Sequence, residues 1–480
     1  MNKVIGKACI ILANLCWLIS SIPGWFAFRL ASRRVKRTQL AILRRIIRTN
    51  EGTKFGWAHH FETLSGLEDF RGLPLSEYED YEDFLEAIKA GYSNILTGDS
   101  VKVLQPTSGS TAATKLIPYT GSLKTEFKAA VDPWIASMYM AYPSLLRGRH
   151  YWSISPTTPC PTNASSKVRI GFADDSEYLG AIQRFLVRTL FAVPLRPDAA
   201  RAQELRNLDV SNYKGFDTIW PHLKIISCWT DGVSEPWLTE LIHCFPQAII
   251  QGKGLTATEG IISFPSGDSG RPVCAVRSHF LEFIHAENGK AYCAWELEEG
   301  QEYSVVLTSS GGLYRYRLHD RVQVTGYDHQ APRLKFIERE NLVSDMVGEK
   351  LNGKHVELSI GNVEKALDLR FRFAMLAPLE EHGDARYVFY MQLTEGSDPN
   401  FQSISKAMET ELARNYYYQN ARELSQLQHL KVFNIDNKQD AHIVYRQHYL
   451  GRGAKSGEIK FSALSVDRTW TGEFPGEYIL

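Results

Sequence analysis

Past residue 50 the apolar residues of this chain switch repeatedly between two spacings, and that alternation limits the fold more than any other property. Short apolar runs at 224–228, 248–250, 304–307 and 333–337 have the length and β-branched content of buried strands. Between them lie stretches with helical spacing: an acidic amphipathic one at 79–90, and a heavily apolar one at 127–141 carrying Trp134, Met138 and Tyr139, with Pro133 expected to kink it. Strands alternating with helices imply an α/β architecture. The chain has 480 residues, too many for one ordinary domain, and two or three are expected. A boundary falls near 338–345, because a strand-like run ends at 337 and new strand and helix signals follow at 386–392 and 403–417. This gives three parts: a hydrophobic and basic segment 1–37, a large domain 38–338 and a smaller domain 339–480.

The N-terminal segment departs from the rest. No charged residue occurs from Ala8 to Phe28, while Lys3 and Lys7 precede the run and Arg29, Arg33, Arg34, Lys36 and Arg37 follow it. About 20 apolar residues suffice to span a bilayer. Asn14, Ser20, Ser21, Pro23 and Gly24 lie inside the run, however, and Pro23 with Gly24 is expected to break a helix there. Three readings stay open: a membrane anchor, a helix lying on a membrane surface, or a helix packed on the protein's own core. The heavier positive charge after the run favours a body on the cytoplasmic side. Residues 40–48 have helical spacing with one basic face, as a surface helix would.

Lys+Arg and Asp+Glu both number 54, which removes the basic excess a dedicated nucleic-acid binder needs. Any polyanion must therefore be gripped locally. The seven cysteines (Cys9, Cys16, Cys160, Cys228, Cys244, Cys274 and Cys293) include no C-x-x-C pair, so they read as reduced residues of a reducing compartment.

One segment is suited to holding an anion. Thr107-Ser108-Gly109-Ser110-Thr111-Ala112-Ala113-Thr114-Lys115 packs five hydroxyls, a glycine and a lysine into nine residues between two strand-like runs. It is not a Walker A loop, because G-x-x-x-x-G-K-[ST] is absent, and an ordinary polar turn has a similar composition. Three further segments bear on it. They are Ile219-Trp220-Pro221-His222-Leu223-Lys224 with Thr230-Asp231-Gly232, then Leu255-Thr256-Ala257-Thr258-Glu259, and then Gly311-Gly312-Leu313-Tyr314-Arg315-Tyr316-Arg317-Leu318-His319-Asp320. In this order and spacing the segments resemble the motifs of the Gretchen Hagen family of acyl-acid amido synthetases, within the adenylate-forming superfamily. The resemblance runs from about residue 40 to the C-terminus. Glu338-Arg339-Glu340-Asn341 resembles the superfamily's hinge, and Ser344-Asp345-Met346-Val347-Gly348-Glu349-Lys350 a turn that follows it.

The resemblance implies an adenylate-forming α/β fold with a large N-terminal α/β domain and a small mobile C-terminal α+β domain. It implies ATP-dependent adenylation of a carboxylic acid, then transfer of the acyl group to an amine or amino acid, with ATP and Mg²⁺ as cofactors. An acyl-coenzyme A ligase of the same superfamily, or an inactive membrane-associated scaffold, are the alternatives. By the resemblance Thr107, Ser108, Gly109, Ser110, Thr111 and Lys115 would hold phosphates, Thr256 and Thr258 would lie along the nucleotide, and Glu259 would bind Mg²⁺. Asp320 would accept from both ribose hydroxyls, Arg339 would reach one of them, and Lys460, in the glycine-rich 451–460, would lie over the adenylate with Lys455 as runner-up. The acid's apolar part would rest beside Trp134 and Met138, near Ile261, Ile262 and Phe264. Taken singly, Glu259 also fits a capping or solvated carboxylate, Asp320 a salt bridge to Arg317 or Arg321, and Arg339 a surface charge. Tyr314 and Tyr316 alternate with Arg315 and Arg317, so each pair is expected on one face of a strand.

The sequence departs from the family pattern at three places. His319 stands where a glycine is usual, Leu255 where a tyrosine would stack on adenine, and Ala112-Ala113-Thr114 lacks a glycine. There is no His-Glu-x-x-His, G-x-G-x-x-G or G-x-Ser-x-G motif, His59-His60 lacks the residues that would make it a condensation motif, and Ser403-Ile404-Ser405-Lys406 lacks its partner motifs.

Overall fold

A computed structural model describes residues 2–107, 115–150, 167–172, 216–267, 271–340, 343–381, 383–394, 400–452, 459 and 461–479. The chain divides into two compact units, Met1–Ile337 and Glu338–Leu480. Residues 1–37 belong to the first and do not stand apart from it.

The first unit is organised on a seven-stranded sheet in the order β6-β7-β12-β11-β10-β8-β9. Its strands are β6 (Ser263–Pro265), β7 (Pro272–Cys274), β8 (Phe280–His285), β9 (Ala291–Cys293), β10 (Glu302–Thr308), β11 (Tyr316–Asp328) and β12 (Ala331–Arg339). Strand β10 is buried from Tyr303 to Thr308, the uniform apolar run of a central strand, and pairs antiparallel with β8 and β11. Along β11, Tyr316, Leu318, Asp320, Val322 and Val324 are buried while the residues between them are half-buried, so Asp320 shares a face with the core. Beside this sheet, β1 (Val103–Pro106) pairs antiparallel with β2 (Leu116–Tyr119) and parallel with β3 (Arg169–Ile170), and β4 (Ile225–Cys228) runs parallel to β5 (Ile249–Gly252).

Helix α1 spans Asn2–Ala31, and Pro23 lies inside it. The break expected at Pro23-Gly24 does not occur. Pro23 lies on the exposed face, and Gly24 lets the helix approach Asp132 so closely that a Cβ would lie 2.5 Å from the Asp132 Cβ. The inner face is fixed to the body. Asn14, fully buried, donates through Nδ2 to the carbonyls of Leu146 and Gly148, both at 2.9 Å, and accepts from Tyr139 Oη at 3.1 Å; Trp17 is fully buried with Ile135, Met138 and Tyr139. Met138 thus packs against α1, and Ile262 and Phe264 lie in the main core.

Helix α2 (Val35–Asn50) buries Val35, Gln39, Ile42, Leu43, Ile46 and Ile47, one face at helical spacing. Its Gln39 donates to the carbonyls of Val276 and His279 and accepts from the Leu281 amide at 2.9 Å, which ties the helix to β8. The long helix Gly121–Ala141 opens on Thr120, whose side chain accepts from the Leu123 amide, and runs on through Pro133.

In the second unit, Phe371–Glu381, Asp384–Leu393, Lys431–Ile435 and Gly476–Tyr478 form a four-stranded mixed sheet in that order. Helices Gly353–Leu367 and Phe401–Leu412 cover one core. The single helix expected at 403–417 is two, because Asn415 accepts from the amides of Tyr417 and Tyr418 and starts a new one, Tyr416–Glu423. Cys160 lies outside the described residues; the other six cysteines are free thiols, and burial pushes Cys293 up to about 12.

His150 Nε2 lies 2.6 Å from Tyr139 Oη, its ring stacks on Trp17, and burial lowers its pKa to about 4. A histidine lowered on folding stabilises fully above its unfolded pKa of about 6.5, and that stability drains away as pH falls towards the folded value. Between pH 7 and pH 5 this group removes about 2 kcal/mol. Urea unfolding at both pH values is expected to show that loss in the natural protein and to lack it in His150→Phe.

Candidate active site

The loop 107–115 is closed at its base. β1 and β2 pair Pro106 with Leu116, and the Thr107 amide donates to the Lys115 carbonyl at 2.8 Å, so both ends of the nine residues are pinned. Ser108, Gly109, Ser110 and Thr111 lie outside the described residues. The half-buried Lys115 holds its ammonium 5.2 Å from the ring centre of Tyr78, and the Tyr78 hydroxyl accepts from the Leu116 amide at 2.8 Å.

Gly311 and Gly312 begin the third motif under tight contact. A Cβ on Gly311 would lie 2.9 Å from the Pro118 carbonyl, and one on Gly312, at φ +100°, 2.6 Å from the Leu96 Cβ. This turn therefore packs on the strand that leaves the first loop. Tyr314 is buried; its hydroxyl donates to the Leu96 carbonyl at 2.6 Å. Arg315 does not alternate along the strand as expected. It precedes β11 at φ +48°, and its buried guanidinium forms a two-pronged pair with Glu282, at 3.0 Å on each prong, while donating to the carbonyls of Arg71 and Leu73. Burial raises the Glu282 pKa and Arg315 opposes it. Arg315 is thus a structural ion pair.

Between Ser304↔Arg321 and Val306↔Arg317 the register slips, leaving three β11 residues opposite Val305 alone. His319 sits in this bulge at φ +58°, the left-handed conformation that a glycine would adopt without strain. Contacts to Glu77 accompany it: His319 Nε2 is 2.5 Å from Glu77 Oε2, and Arg317 Nη1 is 3.4 Å from Glu77 Oε1. Asp320 follows, buried on the core-side face of β11.

Leu255 to Ser263 form a hairpin. Thr256 bridges Ile261, the amides and carbonyls of Ala257 and Gly260 pair, and the Leu255 amide donates to Ser263 Oγ at 2.9 Å. Thr256 is exposed, Thr258 half-buried, and Glu259 buried at the tip. Leu255 belongs to the hydrophobic core. His279 anchors the hairpin: its Nε2 accepts from the Ile261 amide at 3.2 Å and its Nδ1 donates to Glu126 Oε2 at 3.0 Å. Glu126, fully enclosed, also accepts from Ser310 through its amide (3.1 Å) and hydroxyl (2.5 Å), and from Arg45 at 2.9 Å. One carboxylate thereby ties the Glu259 hairpin to Ser310, the residue just before the third motif.

Sequence reading missed Ser76, Glu77, Tyr78, Glu126 and His279. Ser76 pairs with Tyr316 and donates to the Tyr314 carbonyl, Glu77 meets Arg317 and His319, and Tyr78 meets Lys115, so three consecutive residues join the first motif to the third. None carries a local signal; only their partners, far away in the chain, reveal them. In the second unit Arg339 is exposed, Lys455 and Lys460 lie outside the described residues, and Glu349 is buried, accepting from the amides of Met346 and Val347 at 2.8 Å and from Tyr387 Oη. Glu349 therefore shapes its own turn. Among the described residues no three His, Cys, Asp or Glu side chains gather as a metal cluster. A lone Glu259 carboxylate still fits Mg²⁺, which keeps waters and shares its remaining positions with substrate phosphates.

The α/β fold is that of a solved acyl acid amido synthetase. A solved GH3.15 acyl acid amido synthetase matches over 92% of this chain and 94% of its own, with a TM-score of 0.72 at 16% identity, and AtGH3.15 in complex with 2,4-DB matches equally well, at 0.72 and 15%. The chain carries two GH3 family domains: residues 26–183 match the GH3 family N-terminal domain and residues 273–339 the GH3 family central domain. Relatives include the probable indole-3-acetic acid-amido synthetase GH3.12 of Oryza sativa subsp. japonica, 21% identical over 61% of this chain and 54% of that protein. Another is the indole-3-acetic acid-amido synthetase GH3.10 of Arabidopsis thaliana, 27% identical over 50% and 45%. The chain spans about half the length of the curated relatives it matches.

Replacing Arg315 by Met removes one partner of a buried ion pair and leaves Glu282 uncompensated, a loss of about 3–5 kcal/mol. Denaturant unfolding is expected to show it, with the Arg315→Met, Glu282→Leu double variant recovering most of the loss.

Proposed function

We propose that this chain is a ligase that adenylates a carboxylic acid with ATP and passes the acyl group to an amine or amino acid, giving an amide, AMP and pyrophosphate. The observation that carries the reading is the joining of three sequence-distant motifs: the 107–115 loop and the third motif through Ser76 to Tyr78, and the Glu259 hairpin and the third motif through His279 and Glu126. In the first half-reaction a carboxylate oxygen attacks the α-phosphorus and pyrophosphate leaves, so negative charge must be met by fixed donors. Lys115 supplies a cation, and Thr107, Ser108, Gly109, Ser110 and Thr111 supply hydroxyl and backbone N–H groups. Thr256 and Thr258 line the hairpin towards the nucleotide, Glu259 holds Mg²⁺, which neutralises phosphate charge when bound, and the Asp320 carboxylate accepts from both ribose hydroxyls. Residues 339–480 act as a lid bringing Arg339 to the ribose and Lys460 over the adenylate, with Lys455 as the alternative. In the second half-reaction the amine lone pair attacks the acyl carbon, AMP departs and the nitrogen loses a proton.

We also infer a membrane surface as a partner of this cytoplasmic protein. In support, α1 is long and apolar enough to cross a bilayer, and only 28% of its most apolar window is buried against the body.

Pyrophosphate–ATP exchange with a panel of carboxylic acids tests the first half. Exchange is expected with at least one acid and should fall about 10²- to 10³-fold in Lys115→Ala or Glu259→Ala. Full exchange in both variants would remove the assigned site, and AMP release with coenzyme A but not with amines would make the protein a thioester-forming ligase. Folded protein with no exchange on any acid would make it a scaffold.

A further inference from the structure

The surface of α1 and α2 carries two features that the proposed reaction leaves unused. Over residues 8–31 of α1 the exposed positions are Ala8, Cys9, Leu12, Cys16, Ile19, Pro23, Phe26 and Leu30, which from Cys9 on recur every three or four residues, and every one is apolar. Leu12, Ile19, Phe26 and Leu30 are 58–64% exposed, and the stripe runs about 33 Å along the axis. Where α1 turns into α2 the stripe meets a groove of about 590 Å³. Leu30, Ile42 and small alanines line it together with Arg34, Arg37, Arg45 and Arg277.

Charge around the groove is one-sided. The first 50 residues hold ten Lys and Arg and no Asp or Glu. The acidic groups that reach the groove come from the helix behind it: Glu126 pairs with Arg45, and Asp132 faces Arg277 while pairing with Lys128. Among the described residues Arg34 and Arg37 have no ion-pair partner, and Arg277 is half-buried with no carboxylate within 4.0 Å. A half-buried guanidinium whose charge is only partly met favours an anion beside it.

We propose that this groove binds the phosphate headgroup of an anionic lipid while the outer stripe of α1 lies in the bilayer interface. The proposal rests on the membrane-surface reading above and adds the headgroup site to it. Asn14, Trp17 and Gly24 hold the inner face of α1 on the body, so crossing the bilayer would tear out a buried, hydrogen-bonded contact. Lying flat leaves that contact intact and buries only the face already exposed. Basic residues bordering an apolar face are the composition of an interfacial helix, and basic residues near an anionic surface strengthen its binding.

Flotation of the full chain with vesicles of phosphatidylcholine alone, and with about a third replaced by phosphatidylserine, tests the two readings separately. Binding is expected to both, at least tenfold stronger on the anionic vesicles, with Arg34→Gln, Arg37→Gln removing most of that preference at unchanged thermal stability. Phe26→Asn, Leu30→Asn should weaken binding to both vesicles. Equal affinity for the two vesicles, or an unchanged preference in the double arginine variant, overturns the headgroup site and leaves the membrane reading standing. No flotation on either vesicle overturns both, as does a concentration-dependent dimer that covers α1 and prevents flotation.

Discussion

One buried carboxylate holds the large unit's chemistry-bearing segments in register. Glu126 lies on a helix whose two ends do unrelated work, packing on the main core at one and on α1 at the other. Its oxygens are met by the ring of His279, the amide and hydroxyl of Ser310 and the guanidinium of Arg45. A buried charge is tolerated only when such partners are all present, so the sites that supply them are constrained together. The Glu259 hairpin is suspended from the far side of the same imidazole and inherits its position from that network.

The third motif shows how a locally costly backbone is kept. Arg315 and His319 both adopt left-handed conformations, each worth about 1–2 kcal/mol against an L residue. Arg315 offsets this with a full set of buried acceptors, and His319 sits against Glu77 at the bulge. The side chain standing where a glycine is usual therefore has a neighbour of its own, and Asp320 keeps its place on the buried face of β11. Leu255, standing where the family has an aromatic residue, has gone into the core.

Much of the fold and part of the site were legible in the sequence. Strands at 224–228, 304–307 and 333–337 and the helix through Trp134 were visible because each is a contiguous run whose periodicity alone decides its type. The motif segments were visible through their resemblance to a known family, which is likewise a match of contiguous residues. Reading failed where one residue's effect depends on its neighbour: Pro23 did not break α1, and Asn415 split a helix in two.

By itself the sequence determined the alternation of strand and helix, the order of the motifs, the neutral average charge and the apolar, basic N-terminus. These are properties of neighbouring residues, and neighbours along the chain are what periodicity records. The tertiary structure alone decided that Ser76 to Tyr78 join the first motif to the third, that His279 and Glu126 carry the Glu259 hairpin, and that α1 buries one face while leaving an apolar stripe outside. Glu77 and His319 are 242 positions apart, and Glu126 and His279 are 153. Contacts at that separation exist only once the sheet has formed, because desolvation makes a polar partner necessary there and leaves no local pattern to announce it.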